Sequence, residues 1–165
     1  MCAIIAHHYE RSSALPHTQD RFTSTDFDDT AQWVEIAKSA ELDVPRPVIP
    51  VTLQGQRLVL FRDDEGKLGL IGRNCPHRGA DLCFGRLEDN GLRCPFHGWH
   101  FDRNGQCVEQ PAEPVGSEMY KQIKVPMISV VETAGAILAY VGKGDPPIDE
   151  QNMGSAQGRV EGGKQ

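Results

Sequence analysis

Short apolar runs separated by turn residues dominate the middle of the chain. The predicted strands are β-branched or apolar runs, and they cover 48–53, 57–61, 68–71, 123–125, 128–131 and 136–141. Gly, Asp and Asn lie between several of these runs, as is typical of turns between antiparallel strands. Residues 31–42 are ambiguous, because their apolar positions fit one face of a helix while 33–36 fits a short strand. The pattern predicts an all-β fold, an antiparallel sandwich or barrel.

The two ends of the sequence lack this pattern. Residues 1–29 are polar and show no hydrophobic period, so we expect a polar N-terminal arm. Residues 142–165 are rich in Gly, Pro, Gln and charge, which predicts a polar tail or linker. The expected folded domain is therefore 30–141.

Charge and hydropathy narrow the classes of function. The chain has 165 residues, with 17 Lys and Arg against 23 Asp and Glu, giving a formal net charge of −6. An acidic chain is a poor match for nucleic acid, so we expect no nucleic-acid partner. No run approaches the ~20 apolar residues that a membrane span needs, and no secretory leader is visible. The expectation is a cytoplasmic protein without membrane contact.

Two short boxes interrupt the strands and carry the candidate chemistry. The first is CPHRG, which contains Cys75 and His77, and the second is CPFHGW, which contains Cys94 and His97. Each box offers one thiolate and one imidazole, so together they supply two Cys and two His. A mononuclear zinc ion accepts such a set, although zinc fingers usually pair Cys with Cys and His with His. The mixed pairing suits a two-iron cluster in which one iron takes both thiolates and the other takes both imidazoles.

The boxes and their flanks, 74–86 and 91–114, resemble the Rieske [2Fe–2S] domain of bacterial ring-hydroxylating oxygenases and O-demethylases, most of all the phthalate-dioxygenase-like branch. The likeness runs from about residue 48 to 141 and is weaker back to residue 33. The resemblance implies a Rieske-type antiparallel β-sandwich or barrel with a small cluster-binding subdomain built from two loops. It also implies the cluster ligands, which are Cys75, His77, Cys94 and His97.

The same resemblance implies a role in one-electron transfer within aromatic degradation. In this family an N-terminal Rieske domain passes electrons from a flavin-containing reductase or a ferredoxin to a mononuclear Fe(II) in a larger catalytic domain. No His follows His100 in this sequence, so we expect this chain to transfer electrons without activating oxygen itself. Two alternatives stay open: a free-standing Rieske ferredoxin, and a zinc-stabilised interaction module without a redox role.

The residues around the boxes predict a low midpoint potential. Where respiratory Rieske proteins carry a Cys, a Ser and a Tyr, this sequence has Phe96, Trp99 and Phe101. Fewer hydrogen bonds to the cluster sulfurs destabilise the reduced state, so we expect about −150 mV rather than +300 mV. Trp99 is expected to be a core aromatic residue. Cys2, Cys83 and Cys107 are expected to be free thiols rather than ligands.

Overall fold

The computed structural model describes residues 31–142 and Pro146, and within this range the chain forms three antiparallel sheets. Short 3₁₀ turns at Ser39–Leu42, Leu82–Phe84 and Met119–Gln122 interrupt the strands, and the described range contains no α-helix. The strands are β1 (Gln32–Lys38), β2 (Val48–Leu53), β3 (Gln56–Arg62), β4 (Leu68–Gly72), β5 (Arg86–Glu88), β6 (Gly91–Arg93), β7 (His100–Asp102), β8 (Cys107–Glu109), β9 (Val130–Thr133) and β10 (Ala136–Val141). The expected arm at 1–29, Cys2, and nearly all of the expected tail lie outside the described residues.

A central sheet with the order β2–β3–β4 separates two hydrophobic cores. Side chains of a strand point alternately to opposite faces, and β3 is buried on both faces. Leu58 and Leu60 enter one core, while Val59 and Phe61 enter the other. The predicted runs 48–53, 57–61 and 68–71 all lie in this sheet, which confirms the predicted antiparallel β architecture.

An outer sheet with the order β1–β10–β9 covers the core that contains Leu58 and Leu60. The ambiguous segment 31–42 is a strand that pairs with β10 and then a 3₁₀ turn, so the strand alternative was correct for its first part. A register shift between Glu35 and Ala37 interrupts that pairing. The local pattern fits both a helix and a strand, and pairing with β10 determines that the segment is a strand.

A third sheet of three-residue strands, with the order β5–β6–β7–β8, covers the other face of the central sheet. The sequence pattern missed these strands, because three residues are too few to show a period. Two predictions were wrong in detail. Segment 123–125 forms no named strand, only an isolated bridge between Lys124 and Gln106, and the strand predicted at 128–131 lies at Val130–Thr133. Across the described residues, no helix has the length and apolar character required to cross a bilayer.

Candidate metal centre

Two loops with the same backbone hydrogen bonds carry the two boxes. In the first loop, the N–H of Cys75 donates to the carbonyl of Ala80 (2.8 Å), and the N–H of Gly79 donates to the carbonyl of Cys75 (2.8 Å). The first loop follows β4, and the second connects β6 to β7. Two loops of different sequence thus present their Cys residues in equivalent backbone settings.

In the second loop, the N–H of Cys94 donates to the carbonyl of Trp99 (2.8 Å), and the N–H of Gly98 donates to the carbonyl of Cys94 (3.2 Å). Gly79 and Gly98 have φ of +70° and +74°, a conformation that favours glycine. At Gly98 an added Cβ would also lie 3.2 Å from the ring of Pro111. The turn therefore favours the glycine that follows the Cys and His of each box.

The two box cysteines lie at the buried end of the site. Cys75 is 1% exposed and Cys94 is 4% exposed, and both belong to the core beneath the third sheet. Burial raises the pKa of the Cys75 thiol to about 12, and the adjacent Cys94 thiol contributes to the increase. Neither thiol is in a disulfide. With this pKa the Cys75 thiol holds its proton at neutral pH unless a metal replaces it.

The two box histidines lie at the exposed end. The rings of His77 and His97 have centroids 4.4 Å apart and an interplanar angle of 65°. Desolvation, followed by the charges of His77 and Arg78, lowers the pKa of His97 and favours the neutral, metal-binding form of that ring. The structure thus brings the two box cysteines together in the core and the two box histidines together at the surface.

Aromatic rings flank the imidazoles. Trp99 is 9% exposed and stacks on His77, with centroids 4.6 Å apart and planes 7° from parallel. On the other side, the exposed Phe96 meets His97 edge-on at 4.9 Å. Trp99 belongs to the core, as expected, but its contact with the histidine of the other box is not visible in the sequence.

An ion pair closes the base of the first loop. The Arg73 guanidinium donates to both carboxylate oxygens of Asp81, with Nε at 2.9 and 2.8 Å and Nη2 at 2.5 Å. Asp81 also accepts the N–H of Cys83 at 2.9 Å and so caps the following 3₁₀ turn. The hydrogen bonds from Arg73, followed by that from the Cys83 backbone, lower the pKa of Asp81. The loop is thus fixed on both sides of Cys75.

A second arginine holds the second loop. Arg93 precedes Cys94, and its side chain is 12% exposed. Its guanidinium donates to the carbonyl of Gly98 (2.9 Å) and to Glu109 (2.6 Å), and it also pairs with Glu88. Sequence reasoning missed both loop-closing arginines. The available signal was an arginine one or two residues before each box cysteine.

The other chemistry-bearing residues near the boxes have ordinary structural environments. His100 is 3% exposed, and its Nε2 lies 3.0 Å from the carbonyl of Glu88. Cys83 and Cys107 are buried and free, and burial raises the pKa of each thiol. Both lie in the same core as the box cysteines, but Cys83 is in a 3₁₀ turn and Cys107 is in β8, outside the two loops.

The donor set fits a Rieske cluster better than a mononuclear ion. A structural zinc ion needs four ligands around one point. Among the described residues, no three His, Cys, Asp or Glu side chains are grouped to hold a single metal ion. A Rieske [2Fe–2S] cluster needs only two side chains at each iron, two Cys at one and two His at the other. The buried pair of thiols and the exposed pair of imidazoles match this division.

Comparison with known proteins gives the same result. Residues 32–128 match the Rieske [2Fe-2S] domain. The 3-chlorobenzoate-3,4-dioxygenase oxygenase subunit of Comamonas testosteroni is 38% identical over 110 residues, which are 67% of this chain and 26% of that protein. The phthalate 4,5-dioxygenase oxygenase subunit of Pseudomonas putida is 37% identical over 114 residues, which are 68% and 26% of the two chains. A crystal structure of dicamba monooxygenase with non-heme iron and dicamba has a TM-score of 0.59 and 33% identity, covering 70% of this chain and 33% of that chain.

The chain belongs to the Rieske [2Fe–2S] domain family, and its relatives include the oxygenase subunits of Rieske oxygenases. This confirms the family and the fold class that the sequence predicted. Membership supports a [2Fe–2S] cluster and is consistent with electron transfer. The chain spans about a quarter of the length of these curated relatives.

Proposed function

We propose that this chain transfers single electrons through a [2Fe–2S] cluster bound by Cys75, His77, Cys94 and His97. The observation that carries the proposal is the arrangement of two equivalent loops, which place two thiols in the core and two adjacent imidazoles at the surface. When bound, the cluster supplies a site that accepts and releases one electron. The folded unit of the proposal is 30–141.

The two ends of the site have different roles in this proposal. The buried cysteines keep the sulfur end away from water and give it a low-dielectric setting. The imidazoles of His77 and His97 lie at the surface, so a redox partner reaches the site from that side. Electrons therefore enter and leave along the histidine edge.

The proposed setting is a Rieske oxygenase. The relatives named above include dioxygenase oxygenase subunits, and dicamba monooxygenase is described with non-heme iron. We place this chain between an electron donor, a flavin-containing reductase or a ferredoxin, and a mononuclear iron site in an oxygenase catalytic domain outside this sequence. Aromatic compounds are the proposed substrate class of that whole system, and the cytoplasm is its proposed location.

Metal content and magnetic resonance test this function. Protein purified without oxygen is analysed for iron and acid-labile sulfide, and its reduced form is examined by electron paramagnetic resonance. We expect two irons and two sulfides per chain and a paramagnetic signal from the one-electron-reduced cluster. A colourless protein that contains zinc and no sulfide would refute the proposal in favour of the interaction module.

Variants of the four ligands test the assignment of residues. Cys75→Ala, His77→Ala, Cys94→Ala and His97→Ala are each expected to lose the cluster. Cys83→Ala is the matched control, because it removes a buried free thiol that lies outside the boxes. Retention of an unchanged cluster in any of the four, or its loss in the control, would show that the ligand set is different.

A further inference from the structure

The two cluster loops share a backbone but differ in the side chain at one equivalent position. The N–H of Cys75 bonds to the carbonyl of Ala80, as the N–H of Cys94 bonds to the carbonyl of Trp99. Ala80 and Trp99 are therefore counterparts, each five residues after its cysteine. One loop has a methyl group where the other has an indole.

This difference gives the two imidazoles different surroundings. The Trp99 indole reaches across to the histidine of the other loop and stacks on His77, 4.6 Å away and 7° from parallel. Because the loops are equivalent, Ala80 occupies the position from which a ring would stack on His97. Its methyl group cannot form such a stack. The ring beside His97 is Phe96, which meets it edge-on and is 66% exposed.

The indole can hold His77 because it is itself held. Trp99 is 9% exposed and packs in the same core as Cys75 and Cys94. A stack between flat rings is stabilising beyond the area that it buries. Phe96 has no comparable support, because most of its ring is in solvent.

We propose that Trp99 is a positioning residue that fixes the ring of His77, so that the two histidine ligands of the site are inequivalent: His77 is held in one orientation, and His97 is the freer ligand. The inference rests on the proposed function, since it concerns ligands of the cluster. The inference goes beyond that function in two respects. It assigns a role to Trp99, which is not a ligand, and it identifies His97 as the more mobile of the two imidazoles at the surface that redox partners reach.

Nitrogen couplings of the reduced protein test the inequivalence. Protein labelled with ¹⁵N-histidine is reduced, and electron–nuclear double resonance resolves the coupling of each ligand nitrogen. In the wild type we expect one narrow and one broad coupling. In Trp99→Leu the narrow coupling broadens, whereas Trp99→Phe, which keeps a flat ring, restores it. Phe96→Leu is the matched control and leaves the narrow coupling unchanged.

A second measurement follows the release of iron to a chelator by the loss of visible absorbance. Loss of the stack should make release about two- to tenfold faster in Trp99→Leu than in the wild type, with Trp99→Phe close to the wild type. Equal widths of the two couplings in the wild type would overturn the proposal even if Trp99→Leu does not fold. So would unchanged couplings in a folded Trp99→Leu. A wild type without acid-labile sulfide would instead refute the proposed function itself.

Discussion

The ion pair at the base of the first loop allows a quantitative test of how the ligand loops are held. Asp81 and Arg73 are each about one-fifth exposed, and three of the four hydrogen bonds to the Asp81 carboxylate come from Arg73. Asp81→Asn keeps the shape of the side chain and removes its charge. The amide still accepts the N–H of Cys83, so the expected change comes mainly from the lost pairing with Arg73.

The size of the effect follows from the type of bond and its exposure. Hydrogen bonds between charged groups contribute about 1.5–3 kcal/mol, and partial exposure places this pair toward the lower end. We expect a loss of about 2 kcal/mol, which lowers the thermal midpoint by roughly 6–10 °C for a domain of this size. Since Cys75 lies within the closed loop, release of iron to a chelator should also become faster.

The effect should depend on pH in a defined direction. The pairing lowers the pKa of Asp81 in the folded state below its value of about 3.9 in the unfolded chain. The carboxylate therefore contributes its full stability above pH ~4, and this contribution is lost as the pH falls through the folded-state pKa. The difference in stability between the wild type and Asp81→Asn should be largest at neutral pH and shrink below pH ~4.

Thermal unfolding by circular dichroism, measured between pH 3 and pH 7, checks both points. Glu118→Gln is the control, because it breaks an exposed pair with Lys121 that is expected to contribute less than about 0.5 kcal/mol. A midpoint within 1 °C of the wild type at neutral pH would refute the reasoning. A difference that stays constant through the acid range would show that the charge of Asp81 is not its source.

Three further predictions concern the central sheet, the third sheet and the redox state. Gly91→Ala would place a Cβ 2.2 Å from the carbonyl oxygen of Phe101. We therefore expect the free energy of unfolding, measured with urea, to fall by about 2–3 kcal/mol. Gly66→Ala is the control, because an added Cβ has open space there, and it should cost about 1 kcal/mol. Asp63→Asn leaves the charge of Arg103 without its buried partner and should cost about 2 kcal/mol or more, checked in the same assay. A redox titration should give a midpoint near the low end of the Rieske range, about −150 mV, and a value well above zero would contradict the argument from Phe96 and Trp99.

The sequence predicted the features that depend on local pattern. The strands of the central sheet are long enough to show apolar runs with turns between them, and the ligand boxes are short motifs with a fixed spacing. The four strands of the third sheet are three residues each, which is less than two periods of a strand, so their existence depends on pairing rather than on pattern. Residues 123–125 show the opposite error. The pattern predicts a strand there, but Lys124 forms only an isolated bridge.

The parts of the site that sequence could not predict are contacts between its two loops and their supports. Spacing within a box relates Cys75 to His77, but nothing in it relates Trp99 to His77, which are 22 residues apart in sequence and stacked in space. The same is true of Arg93, whose partners Glu88 and Glu109 come from β5 and β8. The proposed ligands are recognisable from local motifs, whereas the orientation of their side chains depends on the packing of distant segments.

β3 connects the two hydrophobic cores, because its side chains enter them alternately. Val59 and Phe61 pack in the same core as Cys75 and Cys94, while Leu58 and Leu60 pack against the outer sheet. A change in the outer sheet reaches the ligand loops through the elements between the two cores, and in β3 the four residues 58–61 are all buried, so close packing resists their displacement. Small changes at the surface formed by β1, β9 and β10 are therefore expected to leave the two box loops in place. This arrangement predicts that substitutions on that surface change stability without changing the spectrum of the reduced protein.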